Sequence, residues 1–339
     1  MDLNALNDIA NRMVTPGKGI LAADESMGTI QKRFDPIGVE NTEQNRRDYR
    51  EMLFRSAEGM KHISGVILFE ETLFQDAEDG TPLVELITAA GAIPGIKVDR
   101  GASRMAGFPG EYITKGLDGL SKRMANYRER GARFAKWRAV IDIAPGIPTW
   151  GAVKSNAHAL ARYAAICQQE GVVPIVEPEV LMDGAHGIDR CDKVTRWVLQ
   201  TTFEELFEQR VALEGMVLKP NMVLCGKGCP QKSTVDEVAE RTIAALKATV
   251  PSAVPGIAYL SGGQSDEEAT AHLNAMNKIG GFPWKMTFSY GRALQAAPQK
   301  AWSGKRENVA AGQRAFAHRA RMNGLASLGQ WDAPLEQAA

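Results

Sequence analysis

Short apolar runs punctuate the chain at fairly regular intervals, and longer stretches of mixed apolar and charged residues lie between them. The runs are Gly19–Asp24, Gly65–Glu70, Gly95–Asp99, Phe134–Ile143, Val173–Glu179, Gly215–Asn221, Gly256–Gly263 and Trp284–Gly291. Their length and their β-branched and aromatic content predict eight strands. Between them the pattern turns helical. Asn41 and Gln44 offer an N-cap and a partner reaching back to it for a helix through Met60, and Ala157–Glu170 and Asp236–Thr249 are rich in helix formers. Strands alternating with helices predict βα units in an α/β fold with a parallel sheet, and eight units are the number that closes a (β/α)8 TIM barrel. An open doubly wound sheet is the rival arrangement. It commonly carries G-x-G-x-x-G after its first strand, which GILAADES lacks. The expected organisation is a single domain over residues 1–339, with a flexible tail from about residue 325.

A barrel of this kind builds its site at the C-terminal mouth, from strand ends and the loops after them. The charged residues at those ends therefore matter. The first run ends in Asp24, the third carries Lys97 and Asp99, and the fourth Lys136 and Arg138. The fifth carries Glu177 and Glu179, the sixth Lys219, and the eighth runs into Arg292. Residues two apart share a strand face, so Lys136 points with Arg138 and Glu177 with Glu179. Any one of them alone reads equally well as a structural ion pair. As a set they predict a mutually compensating polar mouth, because unpaired buried charge is costly.

Lys219 is the sharpest candidate. It ends the apolar Met216-Val217-Leu218 and precedes Pro220-Asn221, which break the strand and open a loop. The bland alternative is a lysine snorkelling from a strand end. Desolvation and a neighbouring cation such as Lys136 would instead lower its pKa and free the amine as a nucleophile. Glu177, on the preceding strand, is a fit donor for the proton that a carbinolamine needs to lose its hydroxyl. A phosphate site is signalled separately. Ser261-Gly262-Gly263-Gln264 follows the seventh run and Ser289-Tyr290-Gly291-Arg292 the eighth, where barrels often bind phosphate on backbone N–H groups. Arg292 adds a fork for phosphate oxygens. Lys97, with Ser26 and Thr29 after the first run, is placed to hold a second anion across the mouth.

Composition excludes more than it suggests. Forty basic residues balance forty acidic ones in 339, so no global field draws nucleic acid or a membrane surface. Cys167, Cys191, Cys225 and Cys229 are too few for a disulfide scaffold. Residues Met1 to Thr15 lack the basic-then-apolar order of a secretory signal, and no run approaches the length of a membrane span. His62, His158, His186, His272 and His318 show no metal-ligand spacing, and Cys225-x₃-Cys229 has no second pair. A cytoplasmic enzyme that uses no metal or cofactor is expected.

The segments GKGILAADES, GVILFEET, GIKVD, GLDGL, FAKWR, LARYA, VPIVEPE, LKPNMV, LSGGQS and TFSYGRALQ, in that order from about Gly17 to Asn308, closely resemble class I fructose-bisphosphate aldolases of the animal and plant type. The resemblance implies metal-free, reversible cleavage of fructose 1,6-bisphosphate in glycolysis and gluconeogenesis. It places the Schiff-base lysine at Lys219 and the carbinolamine acid/base at Glu177, with Glu179 beside it. Lys136 assists, Arg138 helps hold substrate, and Asp24 orients substrate hydroxyls and aids cleavage. The first phosphate falls on Ser261, Gly262, Gly263, Gly291 and Arg292, with Ser289 in the same turn. The second falls toward Ser26, Thr29 and Lys97. Sugar phosphates are the implied partners and a homotetramer the implied assembly. Metal-dependent aldolases, transaldolases and a catalytically retired scaffold are the competing classes. Two features depart from animal members: no tyrosine follows Tyr290, where those carry a C-terminal one that aids proton exchange, and Glu70 replaces a histidine.

Overall fold

The computed structural model describes residues 1–337. Eight parallel strands close into a barrel: β1 Gly19–Ala23, β2 Ile63–Leu68, β3 Ile93–Lys97, β4 Phe134–Ile141, β5 Val173–Val180, β6 Val217–Leu218, β7 Gly256–Tyr259 and β8 Lys285–Tyr290. Each pairs with its neighbours in sequence, and β1 closes on β8. The (β/α)8 expectation is met, one strand per predicted run. A two-stranded antiparallel hairpin, Ala102–Arg104 with Tyr112–Thr114, sits between β3 and β4 and was not legible, being only three residues a strand with little buried surface.

Register explains the layering. Lys97 pairs with Lys136, Lys136 with Ile175, and Arg138 with Glu177 across β3, β4 and β5. On β4 the positions Phe134, Lys136 and Arg138 face the barrel axis, and Trp137 packs outward on Tyr163 of the helix Trp150–Gln169. The lower interior is apolar: Ile20, Ile67, Ile93, Phe134, Val173, Ile175, Val217 and Ala258 form one cluster. Phe134 occupies the space that Gly95 leaves, since a Cβ there would lie 2.2 Å from its ring. The N-terminal helix Leu3–Met13 plugs the bottom. Asp2 caps it, accepting from the Ala5 N–H at 3.1 Å, and its Leu6, Ala10 and Met13 join the apolar cluster.

Several predicted boundaries shift. Thr42, not Asn41, caps the helix Glu43–Phe54, accepting from the Asn45 N–H at 3.1 Å. Asn41 instead donates to the Met27 carbonyl and accepts from Arg46. That helix breaks after Phe54, and a separate turn, Ala57–Met60, follows. The helices expected from Ala157 and Asp236 begin earlier, at Trp150 and Val235, behind the N-caps Thr149 and Thr234. Of the expected tail, the described part folds back: Glu336 accepts from Arg319 at 2.6 Å and from the Trp331 indole at 3.0 Å. Residues 338 and 339 lie outside the described residues.

Candidate active site

At the C-terminal mouth a cavity of about 660 Å³ gathers every site residue expected from the sequence. Lys219, Glu177, Glu179, Lys136, Asp24, Arg138 and Lys97 line its depth, with Ser26 and Thr29 at the start of the helix Met27–Phe34. Ser261, Gly262, Gly263, Ser289, Gly291 and Arg292 line the loops after β7 and β8. Lys219 stands just past the two-residue ladder of β6, its N–H held by the Val176 carbonyl at 2.8 Å. Strand parity then carries its side chain inward, above Val217.

The charges pair in a chain. Lys219 Nζ lies 3.0 Å from Glu177 Oε1, and Lys136 Nζ lies 3.6 Å from Glu177 Oε2 and 2.7 Å from Asp24 Oδ2. Lys219, Lys136 and Glu177 are each no more than 4% exposed. Arg138 pairs with Glu179, and Lys97 with Asp99 at 2.7 Å. Burial alone would lift the Asp24 carboxyl, but Lys136, Lys219 and Lys97 together hold it down at about 2. Burial would lower Lys136, yet Asp24, Glu177 and Asp99 outweigh it and raise the amine above the ordinary lysine value. Lys136 is thus the fixed cation of the site, clamped between two carboxylates.

The phosphate turns are built differently. Gly263 sits at φ +85°, and a Cβ there would come within 2.6 Å of Met182, so only glycine fits the turn. Arg292, the first residue of the helix Arg292–Trp302, is held by Asp266 Oδ1 at 2.9 Å and by the Gln264 carbonyl. The Ser289 hydroxyl is buried without a partner and lines the cavity. Across the mouth, the Ser26 and Thr29 hydroxyls lie 3.2 Å apart.

The cavity also holds residues that sequence reasoning missed. Glu25, two residues past the end of β1, pairs with Arg33, while the buried Arg50 donates to its carbonyl at 3.1 Å. Arg33 follows Thr29 by four residues on one helix, a spacing that could have flagged it. Lys227 and Asp183, 2.7 Å apart, come from two loops joined by backbone bonds from Gly226, Lys227 and Gly228. No periodicity marks such loops. Glu70 lies outside the cavity and accepts from the Tyr127 hydroxyl at 2.7 Å. Among the described residues, no three His, Cys, Asp or Glu side chains are grouped to hold a metal ion, and no helix is long and apolar enough to cross a membrane.

A family model described as fructose-bisphosphate aldolase class-I matches residues 5–339. The probable fructose-bisphosphate aldolase class 1 of Xanthomonas campestris pv. campestris is 54% identical over 332 residues, covering 98% of this chain and 99% of that protein. Fructose-bisphosphate aldolase C of Homo sapiens is 54% identical over 329 residues, covering 96% and 90%. A solved structure of fructose-bisphosphate aldolase from Plasmodium falciparum, in complex with TRAP and a small-molecule inhibitor, superposes with a TM-score of 0.96 at 50% identity, over 98% of this chain and 96% of that one.

Proposed function

The chain belongs to the class I fructose-bisphosphate aldolase family, metal-independent lyases of glycolysis, and from that premise we propose that it splits fructose 1,6-bisphosphate through a Schiff base on Lys219. The observation that carries this is the buried contact of 3.0 Å between Lys219 Nζ and Glu177 Oε1. It gives the amine a neighbour that can take and return protons.

Glu177 accepts the ammonium proton, and the freed lone pair of Lys219 attacks the C2 carbonyl of the open-chain ketose. Glu177 then protonates the carbinolamine hydroxyl, which departs as water and leaves an iminium. Asp24, ionised because three lysines hold its pKa at about 2, accepts a hydrogen bond from the substrate hydroxyl at C4 and orients it. The C3–C4 bond breaks, its electron pair flows to the iminium nitrogen, and the C4 hydroxyl passes its proton to the Asp24 carboxylate as glyceraldehyde 3-phosphate forms. The enamine left on Lys219 takes a proton back at C3, which returns Asp24 to its ionised form. Water then adds to the iminium and releases dihydroxyacetone phosphate. Lys136 stays cationic throughout and keeps Asp24 and Glu177 from repelling each other. The backbone of Ser261–Gly263 and the Gly291 turn, with Arg292, hold one phosphate; Ser26, Thr29 and Lys97 face the other.

Borohydride reduction in the presence of dihydroxyacetone phosphate, followed by peptide mass mapping, tests the assignment. An adduct on Lys219 is expected; an adduct on Lys136, or none, defeats it. The reading extends, on family likeness, to a homotetramer acting in the cytoplasm. Phe207, 80% exposed, and Trp150, 55% exposed, offer apolar surface for assembly, and sedimentation equilibrium would return the mass of four chains.

A further inference from the structure

A groove of about 620 Å³ lies on the outside of the barrel, between residues 55–62, which lead into β2, and the helix Val309–Ala326. It shares no residue with the mouth. Spacing sets its helical wall: Arg314, Ala317, His318 and Arg321 fall at i, i+3, i+4 and i+7 and so project on one face. Arg55, Ala57 and His62 stand across from them. The alanines leave the space open and make part of the wall apolar.

The charge is one-sided. Three arginines line the groove against a single carboxylate, Glu58, and Lys61 already pairs with Glu58 at 2.6 Å. Arg55 is engaged by Glu51 at 2.7 Å and Asp79 at 2.6 Å, and His318 by Glu336 at 2.9 Å. Among the described residues, Arg314 and Arg321 have no acidic partner, although Arg319 between them is paired with Glu336. Burial lowers the His62 imidazole against the opposing effect of its backbone hydrogen bond with Gly17, and the nearby Arg321 and Lys18 charges lower it further, so the wall beside Arg321 is positive. A lone surface arginine without a partner is ordinary. Two that line one partly apolar concavity of ligand size from the same helix face make a place for an anion with a flat apolar body, because guanidinium forks match phosphate oxygens and the small side chains leave room for a ring.

We propose that this groove is a second ligand site, taking an aromatic or heteroaromatic monophosphate, with Arg314 and Arg321 on the phosphate and the ring against Ala57, Ala317 and His62. The ligand binds alongside substrate, because the groove and the mouth have no wall in common. Calorimetric titration with AMP as the probe tests it, on protein whose mouth is saturated with a hexitol 1,6-bisphosphate. That blocker keeps both phosphates but offers Lys219 no carbonyl. One AMP per chain is expected to bind. Arg314→Ala with Arg321→Ala should weaken it by about tenfold or more, the scale of lost charge-assisted hydrogen bonds. Ala317→Glu should do the same. It sets a carboxylate three residues after Arg314 and four before Arg321, a spacing that favours the helix and guards against unfolding as the cause. Loss of AMP binding once the mouth is filled overturns the proposal, as does binding that ignores both variants or no binding at millimolar AMP. Inorganic phosphate alone binding as tightly as AMP overturns the aromatic part.

Discussion

Phe134 and Lys136 stand two residues apart on β4, face the same way and are almost equally hidden from water, at 0% and 4% exposed. Below, the ring of Phe134 fills the gap that Gly95 leaves and belongs to a cluster with no charged member. Above, Lys136 is tolerated only because Asp24 and Glu177 lie 2.7 and 3.6 Å from its amine. The two halves of one barrel interior therefore divide the work. Dispersion and burial close the lower half, and each group there can be replaced by any apolar group of the right volume. The upper half is held by charges that must balance as a set, so no member can be changed without orphaning another.

The largest expected effect separates the halves. Lys219→Ala should lower cleavage about 10⁴-fold or more, since the covalent route is lost outright. Its urea-unfolding midpoint should fall, because Glu177 loses its partner at 3.0 Å, but Lys136 still faces that carboxylate and the barrel should stay folded at neutral pH. A variant that lost activity only because it unfolded would erase the distinction. Phe134→Ala is the mirror case: about 3–5 kcal/mol of stability should go, with the cavity it leaves, while kcat per folded molecule stays within about threefold.

Most of this division was readable from the chain. Eight apolar runs and the charged residues at their ends were enough to place Asp24, Lys136, Glu177 and Lys219 at one mouth, because strand parity and barrel closure follow from local pattern. The pairing itself was not readable. Sequence reasoning cast Lys136 as the cation that depresses the pKa of Lys219, whereas its charge is taken up by Asp24 and Glu177. Contacts across three strands depend on register and side-chain reach, which no periodicity records. Glu25 and Arg33 follow the end of β1, beyond the reach of its strand parity, and Lys227 meets Asp183 through loop-to-loop bonds that leave no periodicity in the chain.

Lys136→Met tests the balance in the upper half. It removes the cation between the half-buried Asp24 and the buried Glu177, at a cost of about 3 kcal/mol at neutral pH. Adding Asp24→Asn should restore a good part of that stability, though not activity. If the double variant were no more stable than the single, charge balance would not be what holds the mouth together.

Acid titration probes the same set more gently. Asp24 has its folded pKa lowered from 3.8 to about 2, so the stability it contributes is present above the unfolded value and fades as pH falls through the folded one. The loss should be on the order of 2 kcal/mol, confined to the window between about pH 4 and pH 2. Asp24→Asn should flatten the unfolding free energy across that window and leave its alkaline limb unchanged, by urea denaturation at stepped pH.

The smallest effect tests where the second phosphate lies. Thr29 shares its hydroxyl with Ser26 at 3.2 Å in the exposed first turn of the helix Met27–Phe34, so it contributes one partly solvated hydrogen bond and little packing. Thr29→Val should raise KM for fructose 1,6-bisphosphate about fivefold, the scale of a single such bond, and Thr29→Ser should change it by less than about twofold. Fructose 1-phosphate has no second phosphate to lose, so its KM should be the same in all three proteins. An equal rise for both substrates would mean that Thr29 acts on the fold of the mouth rather than on the phosphate. The upper half would then extend into the helix Met27–Phe34, as the pairing of Arg33 with Glu25 already does.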